Sequence, residues 1–360
     1  MRITFTGDLS FTGYFQGKER SKILSHDVKA FLKRSQCTVV NLESPITDCE
    51  TTEKARLAHR CDKGVIHFLQ KNFNYPVVTL ANNHIMDYGV EGLYDTMEAL
   101  DDAQIARTGA GKDLKEAIRP VIVKSGNLGV AILSVEYKKD IRATAKGPGV
   151  LHESYDRLIR KQIKRLKKYV NMVIVVYHGG EEFLHTPMPY TRGHLHQYID
   201  IGADAVVAHH PHTVQGYEKY HGKYIFYSLG NFIFDTDYQR VQDDSEDGMI
   251  LCMDIDEDSM SMGLEFCPIR INRETQMIEV RDDDDYFVNL ADIQYADFWP
   301  SEAARKQKVL EKCNAIEPDA VKKSSFMNKL AEAIQDPMEA KRKAKKKKCL
   351  EEGRKIAAGK

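Results

Sequence analysis

No apolar run in the chain approaches the roughly 18 residues that a membrane-spanning helix needs. There is no surplus of charge either. Lys and Arg number 52 against 53 Asp and Glu, which excludes a generally basic nucleic-acid binder and leaves room only for local patches. Cysteine pairing is missing as well. The seven cysteines, Cys37, Cys49, Cys61, Cys252, Cys267, Cys313 and Cys349, are scattered, odd in number and nowhere at CxxC spacing. That excludes a disulfide framework and a thiolate zinc site, and makes a reducing cytoplasm the expected compartment. A signal peptide needs a basic start and a longer apolar stretch than residues 1–8 provide. No internal repeat is present. Wholesale disorder is excluded too, because 42% of the residues are apolar and can form a core.

What remains is a soluble α/β pattern. Residues 1 to about 238 alternate short runs rich in Val and Ile with helical stretches. Strands are expected at 3–6, 37–41, 77–81, 129–135, 173–177, 205–208 and 224–228. The first is expected to run into a turn at Gly7-Asp8. Helices are expected at 90–100 and 155–169. In the second, Leu158, Ile159, Ile163, Leu166 and Val170 recur near helical spacing among Arg and Lys. Residues 249–255, 263–271 and 277–280 read as antiparallel strands, expected to complete a second sheet. Beyond Pro300 the chain is charged and Ala-rich, with helices broken near Pro318 and Pro337. Its block Lys341-Arg342-Lys343-Ala344-Lys345-Lys346-Lys347-Lys348 is either a solvated tail or a contact for an anionic surface. The expected division is a domain over 1–285 and a helical extension over 286–360.

Five segments place ligand-type side chains where a strand ends, the edge at which α/β sheets build sites. They are Gly7-Asp8, Asn41-Leu42-Glu43-Ser44-Pro45, Asn82-Asn83-His84 with Asp87, His178-Gly179-Gly180-Glu181-Glu182, and His209-His210-Pro211-His212. Asn oxygen, carboxylate and imidazole together form a mixed ligand set that suits Mn, Fe or Zn and is too rich in nitrogen for calcium. One or two such ions beside a bound phosphate ester support hydrolysis. In a strand over 54–60, Arg56 and Arg60 would share a face and offer bidentate contacts to a phosphate or carboxylate. Asn41 and His209 join them as candidate substrate contacts.

The order Gly-Asp, Asn-Leu-Glu-Ser-Pro, Leu-Ala-Asn-Asn-His-x-x-Asp-Tyr-Gly, His-x-Gly-x-Glu, Gly-Ala-Asp-x-Val-x-x-His-His-Pro-His and Tyr-Ser-Leu-Gly-Asn-Phe resembles the CapA family. These are poly-γ-glutamate capsule synthesis proteins with a domain of the calcineurin-like metallophosphoesterase superfamily. The resemblance runs from Gly7 to Phe234. It implies a four-layer α/β/β/α sandwich with a dinuclear site at the sheet edges. Asp8 and His212 would serve a first metal, Asn83, His178 and His210 a second, and Glu43 would stand at the bridging position. His84 would act beside the leaving-group oxygen, with Asp87 holding its tautomer. Glu182 matches the last residue of His-x-Gly-x-Glu.

Two departures from the wider pattern carry expectations. Ser10 stands where phosphoesterases have the His of Asp-x-His, and Glu43 where they have Asp, so the second metal site is expected to be the tighter. Many CapA-type proteins carry an N-terminal membrane anchor, whereas this chain starts at the first strand of the site. The expectation is a cytoplasmic relative, peripheral to the inner face of the membrane at most, through its basic tail. The resemblance implies a hydrolase or transferase acting on a phosphorylated or anionic polymer precursor, beside the capsule-synthesis machinery. A non-catalytic polymer-handling subunit is the alternative. A nuclease or nucleotide phosphodiesterase is a third reading, weakened because no aromatic-interleaved basic patch lies near the motifs.

Overall fold

The computed structural model describes residues 1–52, 57–137, 141–281, 290, 304–309 and 311–312. In chain order the strands are β1 (Arg2–Gly13), β2 (Cys37–Leu42), β3 (Pro76–Thr79), β4 (Ala106–Thr108), β5 (Ala110–Gly111), β6 (Val121–Ser125), β7 (Leu128–Glu136), β8 (Gly149–Val150), β9 (Met172–His178), β10 (Ala205–His209), β11 (Val214–Tyr220), β12 (Lys223–Leu229), β13 (Asn231–Asp235), β14 (Asp247–Ile255), β15 (Met262–Asn272) and β16 (Met277–Val280). The helices are α1 (His26–Lys33), α2 (Gly64–Asn72), α3 (Gly89–Asp102), α4 (Leu114–Ala117), α5 (Asp156–Leu166), α6 (Pro189–Asp200) and α7 (Asp237–Arg240).

Two large sheets result. The first has the order β16-β15-β14-β1-β2-β3-β4, with β13 also paired to β1; the second has the order β11-β12-β10-β9-β7-β6. Strands β1 to β4 are mutually parallel, as are β7, β9, β10 and β12. Consecutive valines explain the layering, because successive side chains leave a strand on opposite faces. Val39, Val77, Val176 and Val207 enter a core shared between the sheets, together with Ile3, Phe5, Ile132 and Phe226. Their neighbours Val40 and Val78 pack with Val28, Leu32, Phe68, Leu69 and Leu93 of α1, α2 and α3. On the other side, Val175 and Val206 pack with Ile159, Ile163 and Leu195 of α5 and α6. The expected α/β/β/α order of layers is therefore present. The amphipathic stripe read in the sequence buries Ile159, Ile163 and Leu166, while Leu158 is exposed.

Three expectations need correction or restriction. Strands β14, β15 and β16 do not complete the second sheet; β14 pairs antiparallel with β1 and extends the first. Gly7-Asp8 is not a turn. β1 continues to Gly13, and its pairing with β2 slips between Phe5 and Asp8. Of the expected C-terminal extension, residues 304–309 and 311–312 are helical, and the basic block at 341–348 lies outside the described residues. Compact units divide at Met1–Asp297 and Phe298–Lys360. Among the described residues no helix is long and apolar enough to cross a membrane.

The slip in β1 depends on Gly7. A Cβ there would lie 2.3 Å from the Gly230 carbonyl oxygen, and the neighbouring Asp8 N–H donates to that same oxygen at 2.9 Å. Gly7→Ala should therefore destabilise the fold by about 1–3 kcal/mol through overpacking against backbone. Chemical denaturation reads this directly, and an unchanged midpoint would refute it.

Candidate metal centre

The site forms where parallel strands of both sheets end, at the rim of the space between the sheets. The first sheet contributes Asp8 from β1, Asn41 from β2, Glu43 just beyond β2, and the Asn82-Asn83-His84 turn after β3. The second contributes His178 and His209, the last residues of β9 and β10, which pair in register. The slip in β1 brings Asp8 opposite Asn41. The Asn41 amide then donates from Nδ2 to Asp8 Oδ1 at 2.7 Å, while its Oδ1 accepts from Thr79 Oγ1 and Asn82 Nδ2. Asn41 thus aligns Asp8 from the floor of the site.

After β10 the chain bends sharply. His210 and His212 adopt φ of +100° and +56°, a region that non-glycine residues occupy at a cost of about 1–3 kcal/mol. The bend lets the His210 N–H donate to Asp8 Oδ2 at 3.2 Å and turns both rings inward. Asn231 fixes the second ring: its Nδ2 donates to the carbonyls of His212 and Ser245, and its Oδ1 faces His212 Nδ1 at 2.9 Å. That leaves His212 Nε2 on the side of Glu43 Oε1, 3.9 Å away. Such support settles which ring nitrogen is available to a ligand. His178 lies between the sheets, its Nε2 2.9 Å from Asn83 Oδ1 and 3.3 Å from Glu43 Oε1.

Ligand atoms fall into two groups, each within 4.8 Å: Glu43 with His210 and His212, and Asp8 with Glu43 and His178. Glu43 belongs to both. The Glu43 carboxylate is fully buried, and neither oxygen accepts a hydrogen bond among the described residues. Burial first, then the charges of Asp8, Glu136, Glu182 and Asp87, push its pKa well above the ordinary value. For Asp8, burial works the same way but is outweighed by the hydrogen bond and charge of His209, with His212 and His178, so its carboxyl stays below the ordinary value. Burial and the neighbouring His210 hold His178 neutral, the form in which imidazole ligates. An ionised Asp, neutral His and a buried carboxylate with no donor form a set that fits divalent Mn, Fe or Zn.

Next to this set stand His84 and Asp87, with Nδ1 and Oδ2 2.7 Å apart. The same Oδ2 accepts the His59 N–H at 2.8 Å, and the His59 ring lies 4.2 Å from that of His84. His59 was not among the candidates, since nothing in its local sequence announces that it reaches this pair. Asn231 was also without an assigned role, though it lies within the Tyr-Ser-Leu-Gly-Asn-Phe motif. Tyr137 is a third such residue, its hydroxyl 3.3 Å from His210 Nε2.

Other candidates are placed differently. Glu182 is partly exposed, accepts from the Tyr238 hydroxyl at 2.7 Å and lies 3.8 Å from His210. Its neighbour Glu181 turns inward instead and accepts from Met188 N–H and Thr191 Oγ1 at the start of α6. Arg60 does not extend toward the ligand set. Its guanidinium donates to the carbonyls of Cys49 and Asp48 and covers the Tyr88 ring, which makes it a tie for its own loop. Arg56 lies outside the described residues. His209 is buried, with Nδ1 3.2 Å from Asp8 Oδ1. Ser10 Oγ pairs with Thr12 Oγ1 at 2.9 Å.

A family model described as bacterial capsule synthesis protein PGA_cap matches residues 2–236. The chain is 32% identical over 252 residues to the PGA biosynthesis protein CapA of Bacillus subtilis, covering 68% of this chain and 66% of that protein. It is 34% identical over 225 residues to the capsule biosynthesis protein CapA of Bacillus anthracis, covering 60% and 54% respectively. These matches thus span less than two thirds of either relative. Among solved structures, the 5'-nucleotidase of Candida albicans aligns with a TM-score of 0.44 and 12% identity over 85% of this chain and 58% of that one. TT1561 of Thermus thermophilus aligns with a TM-score of 0.42 and 10% identity over 73% and 97%.

Proposed function

The chain belongs to the bacterial capsule synthesis protein family, and on that footing we propose that it is a metal-dependent hydrolase or transferase acting on a phosphate ester during synthesis of an anionic surface polymer such as poly-γ-glutamate or a polysaccharide. The observation that carries this reading is Glu43, a buried carboxylate without a hydrogen bond among the described residues, shared by two groups of ligands beside a His–Asp pair. Asp8, Glu43, Asn83, His178, His210 and His212 would hold one or two divalent ions. Such ions, when bound, supply Lewis-acid polarisation of a phosphoryl oxygen and a more acidic water. The chain's own residues do the rest. When His84 carries both ring protons, Asp87 pairs with the one on Nδ1 and the one on Nε2 would pass to the departing oxygen, leaving a neutral imidazole. Asn41 keeps Asp8 aligned, and Asn231 keeps His212 aligned. The substrate would be a phosphorylated or anionic polymer precursor, and the partners would be the proteins that build the polymer.

The test is phosphatase and phosphodiesterase turnover of 4-nitrophenyl phosphate and bis(4-nitrophenyl) phosphate by chelator-stripped protein, before and after reloading with Mn²⁺, Fe²⁺ or Zn²⁺. Turnover that appears only on reloading supports the reading. Metal uptake with no turnover of these esters or of phosphorylated polymer precursors would move it to the second reading, a polymer-handling subunit. Ser10, in the place of an imidazole, favours that alternative.

A further inference from the structure

Charge in this chain balances overall, at 52 Lys and Arg against 53 Asp and Glu, yet residues 157–168 hold seven Lys and Arg and no acid. Most of this segment is helix α5. Two of the seven cations are accounted for. Arg160 pairs with Asp156 at 3.5 Å, and Lys167 with the buried Asp204 at 2.6 Å. The other five, Arg157, Lys161, Lys164, Arg165 and Lys168, are exposed and make no ion pair among the described residues.

Helical spacing decides where they point. Ile159, Ile163 and Leu166 form the buried side of α5 and pack with Val175 and Val206 of the second sheet. Arg157, Lys161, Lys164 and Lys168 follow one another at i, i+4, i+7 and i+11, on the side opposite. The turn carries on past Leu166, where the N–H groups of Lys168 and Tyr169 donate to the carbonyls of Arg165 and Leu166. Leu158, Arg165 and Tyr169 make the adjoining row, at i, i+7 and i+11. Leu158 is 43% exposed and Tyr169 76%. The result is a convex stripe of cations about 16 Å long, edged by an aliphatic and an aromatic side chain. Within it Arg157 and Lys161, Lys161 and Arg165, and Lys164 and Lys168 are like-charged neighbours at i, i+4, which weakens a helix in water. A negative surface laid against α5 removes that repulsion.

We propose that α5 docks on an anionic lipid surface. Arg157, Lys161, Lys164, Arg165 and Lys168 lie over the phosphate headgroups, and Leu158 and Tyr169 dip into the interface. A soluble polyanion satisfies the charges equally well but offers nothing to Leu158 and Tyr169. A bilayer interface accepts both, since it is wet on one side and apolar on the other. Docking through this face does not depend on how the metal centre acts.

The experiment is co-sedimentation of the full-length protein with vesicles of phosphatidylglycerol and phosphatidylcholine in equal amounts, or of phosphatidylcholine alone. Every protein tested carries Gln in place of each Lys and Arg in the block 341–348, so that the block contributes nothing. This parent should bind the mixed vesicles and ignore phosphatidylcholine, and its binding should weaken as salt is raised. Near an anionic surface each cation contributes about fivefold. Arg157→Gln, Lys161→Gln, Lys164→Gln and Lys168→Gln combined should therefore lose more than about 100-fold in affinity. Gln keeps helix propensity and relieves the repulsion, so the melting midpoint should not fall. Should the quadruple variant fail to fold, Lys161→Gln with Lys164→Gln takes its place, with an expected loss of about 25-fold. A loss within about threefold, where a single cation is worth about fivefold, overturns the proposal. So does equal binding to both kinds of vesicle, or none to the mixed vesicles. Retention on soluble poly-glutamate that depends on α5, without binding to vesicles, also overturns it and assigns the stripe to an anionic polymer.

Discussion

Glu43→Gln should make the metal-free protein more stable while removing its response to metal. The carboxylate is fully buried, has no hydrogen-bond donor among the described residues and faces four other acids. Its folded pKa lies above the unfolded value of 4.5. Between those two values the native state binds the extra proton, so stability falls as pH rises through the window. The amide has nearly the same shape and cannot ionise. The advantage of the variant should therefore be absent below about pH 4.5 and grow above it, reaching at least about 1 kcal/mol by pH 8 for a charge left without a partner in the interior. Metal reverses the order. At about 100 times its dissociation constant an ion adds roughly 2.7 kcal/mol to wild type, and the variant, having lost the ligand common to both groups, should gain almost nothing. Urea denaturation at pH 5 and pH 8, with and without Mn²⁺, gives all four numbers. A variant less stable than wild type in the metal-free state at pH 8 would show that Glu43 is satisfied without a cation.

His84→Ala should lower turnover of a phosphate ester by about 10²–10⁴-fold, the contribution of a positioned proton donor, with metal content unchanged. Asp87→Asn should fall short of that, at roughly 10–100-fold, because the ring stays but loses its fixed tautomer. The two losses should not add, since Asp87 Oδ2 acts on chemistry only through His84 Nδ1. Steady-state rates of both single variants and the double variant, with metal measured on the same samples, decide this. Turnover by His84→Ala within threefold of wild type would remove the pair from the chemistry.

Much of this site could be read before any coordinates, for one physical reason. Parallel strands all end at one edge of their sheet, so Asp8, Glu43, His178 and the histidines after β10 had to come near one another once the strands were recognised. The His84–Asp87 pair is local, three residues apart. The α/β class followed from Val-rich runs buried on both faces, whereas the four layers were implied only by the resemblance to the CapA family. What escaped depends on partners distant in the chain. Nothing in 249–280 states which sheet an antiparallel strand will join; the choice is made by pairing between β14 and β1. β11 and β13 were not anticipated, because Val214–Tyr220 mixes polar and apolar residues and Asn231–Asp235 is short. The slip at Gly7 needs the Gly230 carbonyl to be known. Arg60 pointed, as a sequence, to an anion, and in the fold it meets carbonyl groups of its own loop.

Strand β1 also governs the order in which the molecule can assemble. Its near neighbour β2 begins at Cys37, but its other edge is covered by β13 and β14, more than 220 residues later. Sequence separations of that size slow folding, because the entropy of closing so long a loop is spent before its contacts repay it. During synthesis the second sheet, built from Val121–Ser125 through Lys223–Leu229, is complete before the edge of β1 finds its last partners. Until then that edge is an open template for other strands. The strand that carries Asp8 therefore leaves the ribosome before the other described strands and is among the last of them to be enclosed, and in a growing chain chaperones would find their clearest target there.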